Sequence, residues 1–260
     1  MQLNLHSKTA VVTGASRGIG LATVRTLIDE GVRVVGAART ITPELKETGA
    51  CAVSADLSTA DGVATLMDRA FAELGALDLL VNNVGAGDAV EPVGFLDTDD
   101  ARWASIFDLN LLSAVRTSRA ALPSLVERRG AIVNVSSINS RLPAAGPVAY
   151  SAAKAALNAL GKSLAEEFGP QGVRVNTVSP GVVRTAIWQD PDGFGSKVAA
   201  GAGAEHAAFL EHLPEAFSIT TGRITEPQEV ASLITFLLSD VSGNITGADY
   251  VIDGGTVKTL

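Results

Sequence analysis

Tyr150 and Lys154 stand four residues apart in Tyr150-Ser151-Ala152-Ala153-Lys154. On a helix that spacing puts both side chains on one face. A free phenol titrates near pH 10, too high for acid–base catalysis at neutral pH. An ammonium beside it favours the phenolate and lowers that value, the tuning that general acid–base work requires. Alone, Y-x-x-x-K is better read as a half-buried tyrosine and a solvated lysine. A second feature, Thr13-Gly14-Ala15-Ser16-Arg17-Gly18-Ile19-Gly20, joins a β-branched run to a helical pattern. Glycines at such a turn let the backbone approach a pyrophosphate, which the helix amino terminus stabilises. A purely structural turn can use three glycines too.

The same turn holds a competing chemistry. Gly14-Ala15-Ser16-Arg17-Gly18 satisfies G-x-S-x-G, the nucleophile elbow of serine hydrolases. Ser16 would be the nucleophile, Asp190 or Asp192 the orienting acid, and His206 or His212 the base. Two points weigh against it. No earlier strand and loop is left to donate a second oxyanion amide, and both histidines fall in a stretch that reads as irregular, a poor support for a preorganised base.

The elements that must position these residues alternate. Thr9–Thr13, Val32–Ala37, Ala50–Ser54, Leu77–Asn82, Ala131–Ser136, Val173–Val178 and Tyr250–Ile252 read as strands. Ile19–Glu30, Thr59–Leu74, Asp99–Glu127, Val148–Phe168 and Pro227–Leu238 read as helices. This order predicts an α/β fold: one Rossmann-type doubly wound parallel sheet of about seven strands, helices on both faces, and ligands at the carboxyl ends of the strands. No linker or repeat divides the chain, so residues 1–260 are expected to form one dinucleotide-binding and catalytic domain. Residues 186–222, with no strand pattern, read as a mobile substrate lid before the last helix.

Composition removes other classes. The 260 residues are 47% hydrophobic and 18% charged, with a mean hydropathy of +0.27, which argues against disorder. Net charge is −8 and no basic stripe is present, a poor basis for gripping nucleic acid. Cys51 is the one cysteine, expected to be a small buried hydrophobe, and no Cys/His cluster has metal-ligand spacing. Met1–Ala10 lacks the apolar run of a secretion signal, and no stretch reaches membrane-span length. A cytoplasmic protein without membrane or nucleic-acid partners is expected.

The strand Ala131–Ser136 ends at Ser136-Ser137, and Ser137 lies thirteen residues before Tyr150. The combination of G-x-x-x-G-x-G, Asn82-Asn83-Val84-Gly85, Asn110, Ser137 and Y-x-x-x-K resembles the short-chain dehydrogenase/reductase family, in its NADP(H)-linked 3-oxoacyl or carbonyl reductase-like form. The likeness runs on through Pro180-Gly181 and Asp253-Gly254-Gly255. It implies a tetrad. Tyr150 would protonate a carbonyl oxygen or act as base in reverse, and Lys154 would lower its pKa and bond the nicotinamide ribose. Ser137, selected over Ser136 by the family's spacing, would hold the substrate oxygen. Asn110 would hold a water linking Lys154 to solvent. It further implies that Gly14, Ser16, Arg17, Gly18, Ile19 and Gly20 cradle the pyrophosphate. Asp56 and Leu57 would meet the adenine, Asn83 and Gly85 the adenosine, and Pro180, Gly181, Val183 and Thr185 the nicotinamide carboxamide. Val84 stands where alanine is usual and Ala153 where serine is common; Val84 adds bulk beside the adenosine.

An NAD site normally carries an acid at the end of the second strand. Here alignment from the glycine turn puts Ala38 at that position, with Arg39 next to it and Arg17 in the turn. Guanidinium groups there would attract a 2′-phosphate through charge-assisted contacts, so NADP(H) is the expected cofactor. The alternatives are an NAD-linked alcohol dehydrogenase of the same fold and a non-catalytic dinucleotide-binding protein; the intact tetrad argues against the latter. Ile187, Trp188, Phe194, Val198, Phe209 and Leu210 in the lid, with Ala86, Ala89 and Val90, fit an apolar carbonyl or alcohol substrate or simple closure of the lid on the core. Arg141 and Arg184 flank the expected pocket as solvated side chains or as partners for an acidic group. Val148–Phe168 is apolar nearly all round, which predicts burial on a second side and a homo-oligomer, a homotetramer as is common in the family.

Overall fold

The computed structural model describes residues 2–85 and 93–259; Ala86, Ala89 and Val90 lie outside them. Seven parallel strands form one sheet in the order β3-β2-β1-β4-β5-β6-β7. They are β1 (Thr9–Thr13), β2 (Arg33–Ala38), β3 (Cys51–Ser54), β4 (Leu79–Asn82), β5 (Ala131–Val135), β6 (Arg174–Pro180) and β7 (Asp249–Ile252). Strands covered on both faces read as continuous apolar runs, and β1, β4 and β5 are buried at every residue. The order reverses between β1 and β4, and the crevice at such a point is where α/β sheets take ligands.

The two faces carry separate cores. Helices α1 (Gly18–Asp29) and α10 (Pro227–Leu238) bury Val24, Leu27 and Ile234 with Val12 and Val81. Helices α3 (Ala60–Leu74) and α5 (Ser113–Arg128) bury Leu66, Met67 and Leu125 with Val11 and Leu80. Adjacent residues Val11 and Val12 thus serve opposite faces, as the strand period of two requires. Ala60–Leu74 starts where the Thr59 side chain accepts from the Gly62 amide. Pro227–Leu238 starts in a capping box of Glu226 and Glu229.

Four expectations change in detail. A short helix, α2 (Pro43–Glu47), stands in a stretch read as connection. The long helix expected over 99–127 is divided into α4 (Asp100–Phe107), a π-helical turn (Asp108–Leu112) and α5. Residues 186–222 are not irregular: α7 (Ala186–Gln189), α8 (Phe194–Gly201) and α9 (His206–Ala216) fold onto a satellite core of Val182, Leu213, Ile219 and Ile224. Cys51 is only partly buried, because β3 is an edge strand. Helix α6 (Val148–Phe168) follows two short 3₁₀ turns after β5.

Candidate active site

The carboxyl ends of β1, β2, β4, β5 and β6 open into a cavity of about 600 Å³. Its floor is the glycine turn. Gly14 has φ +65° and Gly18 φ +56°, a region side chains rarely adopt. A Cβ on Gly20 would lie 2.1 Å from the Gly14 carbonyl oxygen, so α1 rests directly on the turn. Asn83 braces it from β4: Nδ2 donates to the Thr13 and Gly14 carbonyls at 3.0 and 3.1 Å. Thr13 Oγ1 in turn accepts from the amides of Asn83 and Val84. Asn83 therefore builds the site as well as lining it.

Gly14, Ser16, Arg17, Gly18, Ile19, Arg39, Asp56, Leu57, Asn83, Gly85, Ser137, Tyr150, Lys154, Pro180, Gly181, Val183 and Thr185 all border the cavity. Gly20 and Asn110 do not; both lie behind its wall. The donors and backbone present suit a dinucleotide phosphate. A side chain on Gly18 would press on Thr185 Cγ2 at 3.1 Å, and the amino terminus of α1 opens onto the same space. Ala38 closes β2 with no acid, and Arg39 follows it, exposed. Asp56 is held below the usual carboxylate range by the hydroxyl and amide of Ser58, which bond its Oδ1, and by Arg39 nearby.

The middle of the cavity gathers the titratable groups. Lys154 is 3% exposed and its Nζ donates to the Val135 carbonyl at 2.9 Å. Burial lowers its pKa to about 8. Nζ lies 5.7 Å from the centre of the Tyr150 ring. Burial raises the Tyr150 pKa, and the neighbouring Ser137 hydroxyl pulls it part of the way back. In the protein alone desolvation is the larger effect on the phenol. Asn110 sits in the π-helical turn, 1% exposed, its Nδ2 donating to the Ile106 carbonyl. Such turns re-aim a single side chain and recur at functional sites. A Cβ on Gly85 would stand 3.2 Å from Asn110 Oδ1 and 3.5 Å from Lys154 Nζ, so this glycine leaves room for the two to converge.

Both serines line the cavity but differ in bonding: Ser136 Oγ is buried and donates to the Lys154 carbonyl, whereas Ser137 Oγ lies 3.2 Å from Asn139 Oδ1. The cavity also has an apolar lining: Ile138, Pro147, Ile187, Trp188, Phe194 and Phe217. Trp188 stands edge-on to Phe194 and Phe217, with centroids 5.5 and 5.4 Å away. Of the lid residues expected here, Val198, Phe209 and Leu210 stay outside the cavity, and Phe209 and Leu210 pack on the satellite core. Arg141 and Arg184 are not at the cavity either; they pair with Asp249 and Glu226. Asn139, Arg102 and Phe217 border the cavity without having been read from the sequence. Asn139 lay two residues from Ser137, a usable signal; Phe217 and Arg102 come from distant segments and had none.

The hydrolase arrangement does not assemble. No histidine borders the cavity that holds Ser16. His206 Nε2 bonds the Trp188 carbonyl at 2.8 Å, and His212 faces Glu215 on the exposed side of α9. Among the described residues no helix is long and apolar enough to cross a membrane, and no His/Cys/Asp/Glu group could hold a metal.

Comparison with known proteins agrees with this geometry. A family model described as enoyl-(acyl carrier protein) reductase matches residues 14–257. Cis-4-hydroxycyclohexanecarboxylate dehydrogenase of Sinomonas cyclohexanicum is 37% identical over 95% of this chain and 96% of its own. The 3-oxoacyl-(acyl-carrier-protein) reductase of Vibrio harveyi is 33% identical over 97% of this chain and 98% of its own. Among solved structures, L-sorbose reductase from Gluconobacter frateurii, complexed with NADPH and L-sorbose, is 30% identical with a TM-score of 0.91 and covers 100% of both chains. The chain belongs to the short-chain dehydrogenase/reductase family. It is an oxidoreductase acting on the carbonyl/alcohol pair.

Proposed function

We propose that this protein is an NADP(H)-dependent carbonyl reductase in which Tyr150 exchanges a proton with the substrate oxygen. The observation that carries the reading is the opening of Tyr150, Lys154 and Ser137 into the same cavity as a glycine turn beside which β2 ends without an acid. The nicotinamide, when bound, supplies or accepts the hydride. The chain's residues do the rest. Burial keeps the Tyr150 phenol protonated, the form that donates in reduction. Ser137 Oγ holds the substrate oxygen. Lys154 bonds the nicotinamide ribose, and Asn110, beside it across Gly85, carries the proton path to solvent. Pro180, Gly181, Val183 and Thr185 hold the carboxamide, while Asp56, Leu57, Asn83 and Gly85 hold the adenosine. Gly14, Ser16, Gly18 and Ile19 receive the pyrophosphate, with Gly20 letting α1 come close enough. Arg17 and Arg39 bind the 2′-phosphate.

The apolar lining supports an apolar, medium-sized ketone as substrate. Residues 1–260 act as one catalytic unit with 186–222 as its lid. Ala155 and Ala159 of α6 are exposed, an outer apolar surface that favours a homotetramer, working in the cytoplasm. Steady-state rates on a ketone panel test the cofactor assignment: kcat/KM is expected higher with NADPH than with NADH. Ala38→Asp with Arg39→Leu should move the preference toward NADH. Equal or better wild-type use of NADH overturns the assignment.

A further inference from the structure

The face of α6 that carries Tyr150 and Lys154 continues, four residues further on, to Asn158. Asn158 Nδ2 donates to Ser140 Oγ at 3.0 Å and to Asp249 Oδ2 at 2.8 Å. Its Oδ1 is buried with no hydrogen-bond partner. An unpaired buried acceptor is costly, and an apolar residue would avoid that cost. The amide is therefore held here for its two donated bonds. Asp249, on the edge strand β7, collects three segments. It accepts from Asn158, from Ser179 Oγ at 2.6 Å, and from Arg141 Nε at 3.0 Å.

The other end of this network reaches Ser137. Ser140 Oγ, while accepting from Asn158, donates to the Ser137 carbonyl at 2.7 Å. The turn over 138–141 is thus fastened at both ends, through Ser140 to the backbone of Ser137 and through Arg141 to Asp249. Ser140, Arg141, Asn158, Ser179 and Asp249 all lie outside the cavity wall. Since Asn158 shares a rigid helix with Tyr150, its bond to Ser140 sets the position of the Ser137 turn relative to the phenol.

We propose that Asn158 and Asp249 are positioning residues, which hold Ser137 in register with Tyr150. This rests on the assignment of Ser137 as the group that holds the substrate oxygen. A misplacement of about 1 Å at such a group can cost about 10²-fold in rate, and a loosened turn costs part of that.

Two measurements on the full chain test it. The first is hydrogen–deuterium exchange on the protein alone. Asn158→Ala and Ser140→Ala should each speed amide exchange over 138–142 about tenfold, with β5 and the rest of α6 unchanged. The second is kinetic, with NADPH and whichever ketone of the panel the wild type reduces fastest. Each variant should lose about tenfold in kcat while its NADPH Kd stays within about twofold. In a Ser137→Ala background, Asn158→Ala should remove less than about twofold more, because the residue it acts through is already gone. Asp249→Asn should follow Asn158→Ala in both measurements. Unchanged exchange over 138–142, unchanged kcat, or a full further loss in the Ser137→Ala background each overturns the proposal. Should Asn158→Ala fail to fold, Ser140→Ala, which deletes one oxygen, decides it. A wild type that reduces no ketone counts against the reductase reading, and the exchange result then still decides whether Asn158 holds the turn.

Discussion

The glycine-turn part and the aromatic part of the cavity are made of different materials. The first is backbone: two left-handed glycines, a helix terminus, and the Asn83 and Thr13 bonds that lock the turn to β4. The second is side chain: Trp188 and Phe194 on short helices and Phe217 just after α9, beside a small satellite core. A backbone site has almost no room to vary, because its geometry is set by strand ends. An aromatic wall can change shape by one substitution and leave the sheet untouched. The contrast explains how relatives that share this fold carry names for a cyclic hydroxy acid, an acyl-carrier-protein thioester and a sugar.

Four changes would break or sharpen this contrast. Tyr150→Phe acts where the two parts meet. It removes the proton and keeps the ring, so kcat should fall by about 10²–10⁴-fold with NADPH binding retained; near-normal turnover sinks the mechanism. Gly20→Ala attacks the backbone part. Its Cβ would meet the Gly14 carbonyl oxygen at 2.1 Å. Urea titration should show a loss of about 3 kcal/mol or more, with NADPH affinity lost in step, since strain of this kind typically costs 1–3 kcal/mol and backbone is the harder case.

Lys154→Met probes the buried charge between the two parts. Burial holds the Lys154 pKa at about 8 in the folded protein, below the ordinary lysine value of 10.5. The unfolded chain therefore binds more protons between those values, and wild-type stability contributed by this group rises with pH across that window. Below pH 8 the buried ammonium is a liability of about 3 kcal/mol, from 1.36 kcal/mol per pKa unit. Denaturation of the methionine variant should lack this rise between pH 8 and 10.5; an identical pH dependence in both proteins contradicts the burial argument. Trp188→Ala, the mildest change, should raise KM for apolar ketones about tenfold, roughly 1.4 kcal/mol, and leave NADPH Kd unchanged. A parallel loss of NADPH affinity would show that the two parts are not separable.

How much of this could be read from the chain follows the same division. The glycine turn, Ala38 and the Tyr150–Lys154 pair were legible, because local geometry dictates residue type there. The seven strands were legible from their continuous apolar runs, with ends one or two residues off. The helices within 186–222 are not legible in the sequence: those of 4 and 8 residues carry too little periodicity, and the 11-residue α9 contains Pro214. Phe217 was invisible because it reaches the cavity from the end of α9. Lys154 was foreseen, but its environment was not: the sequence pattern names a neighbour for Tyr150 and says nothing of the water excluded from both.

The π-helical turn at Asp108–Leu112 has a consequence for how this chain can change length. It accommodates one residue more than a regular α-helix would over the same path. Beyond it α5 is tied to fixed partners: Arg116 bonds Asp108 and the Ser58 carbonyl, and Thr117 bonds Asn82 of β4. Deleting one residue between 108 and 112 would relax the turn into regular helix while α4 and α5 keep their places, because the surplus residue is taken up over the same path. Thr117 would keep its bond to Asn82, but the side chains of the turn itself would rotate by up to about 100°, and Asn110 would face away from Lys154. Such a deletion should therefore spare the fold and damage the site, so that the surplus residue behaves as an inherited frame for Asn110 rather than a local irregularity.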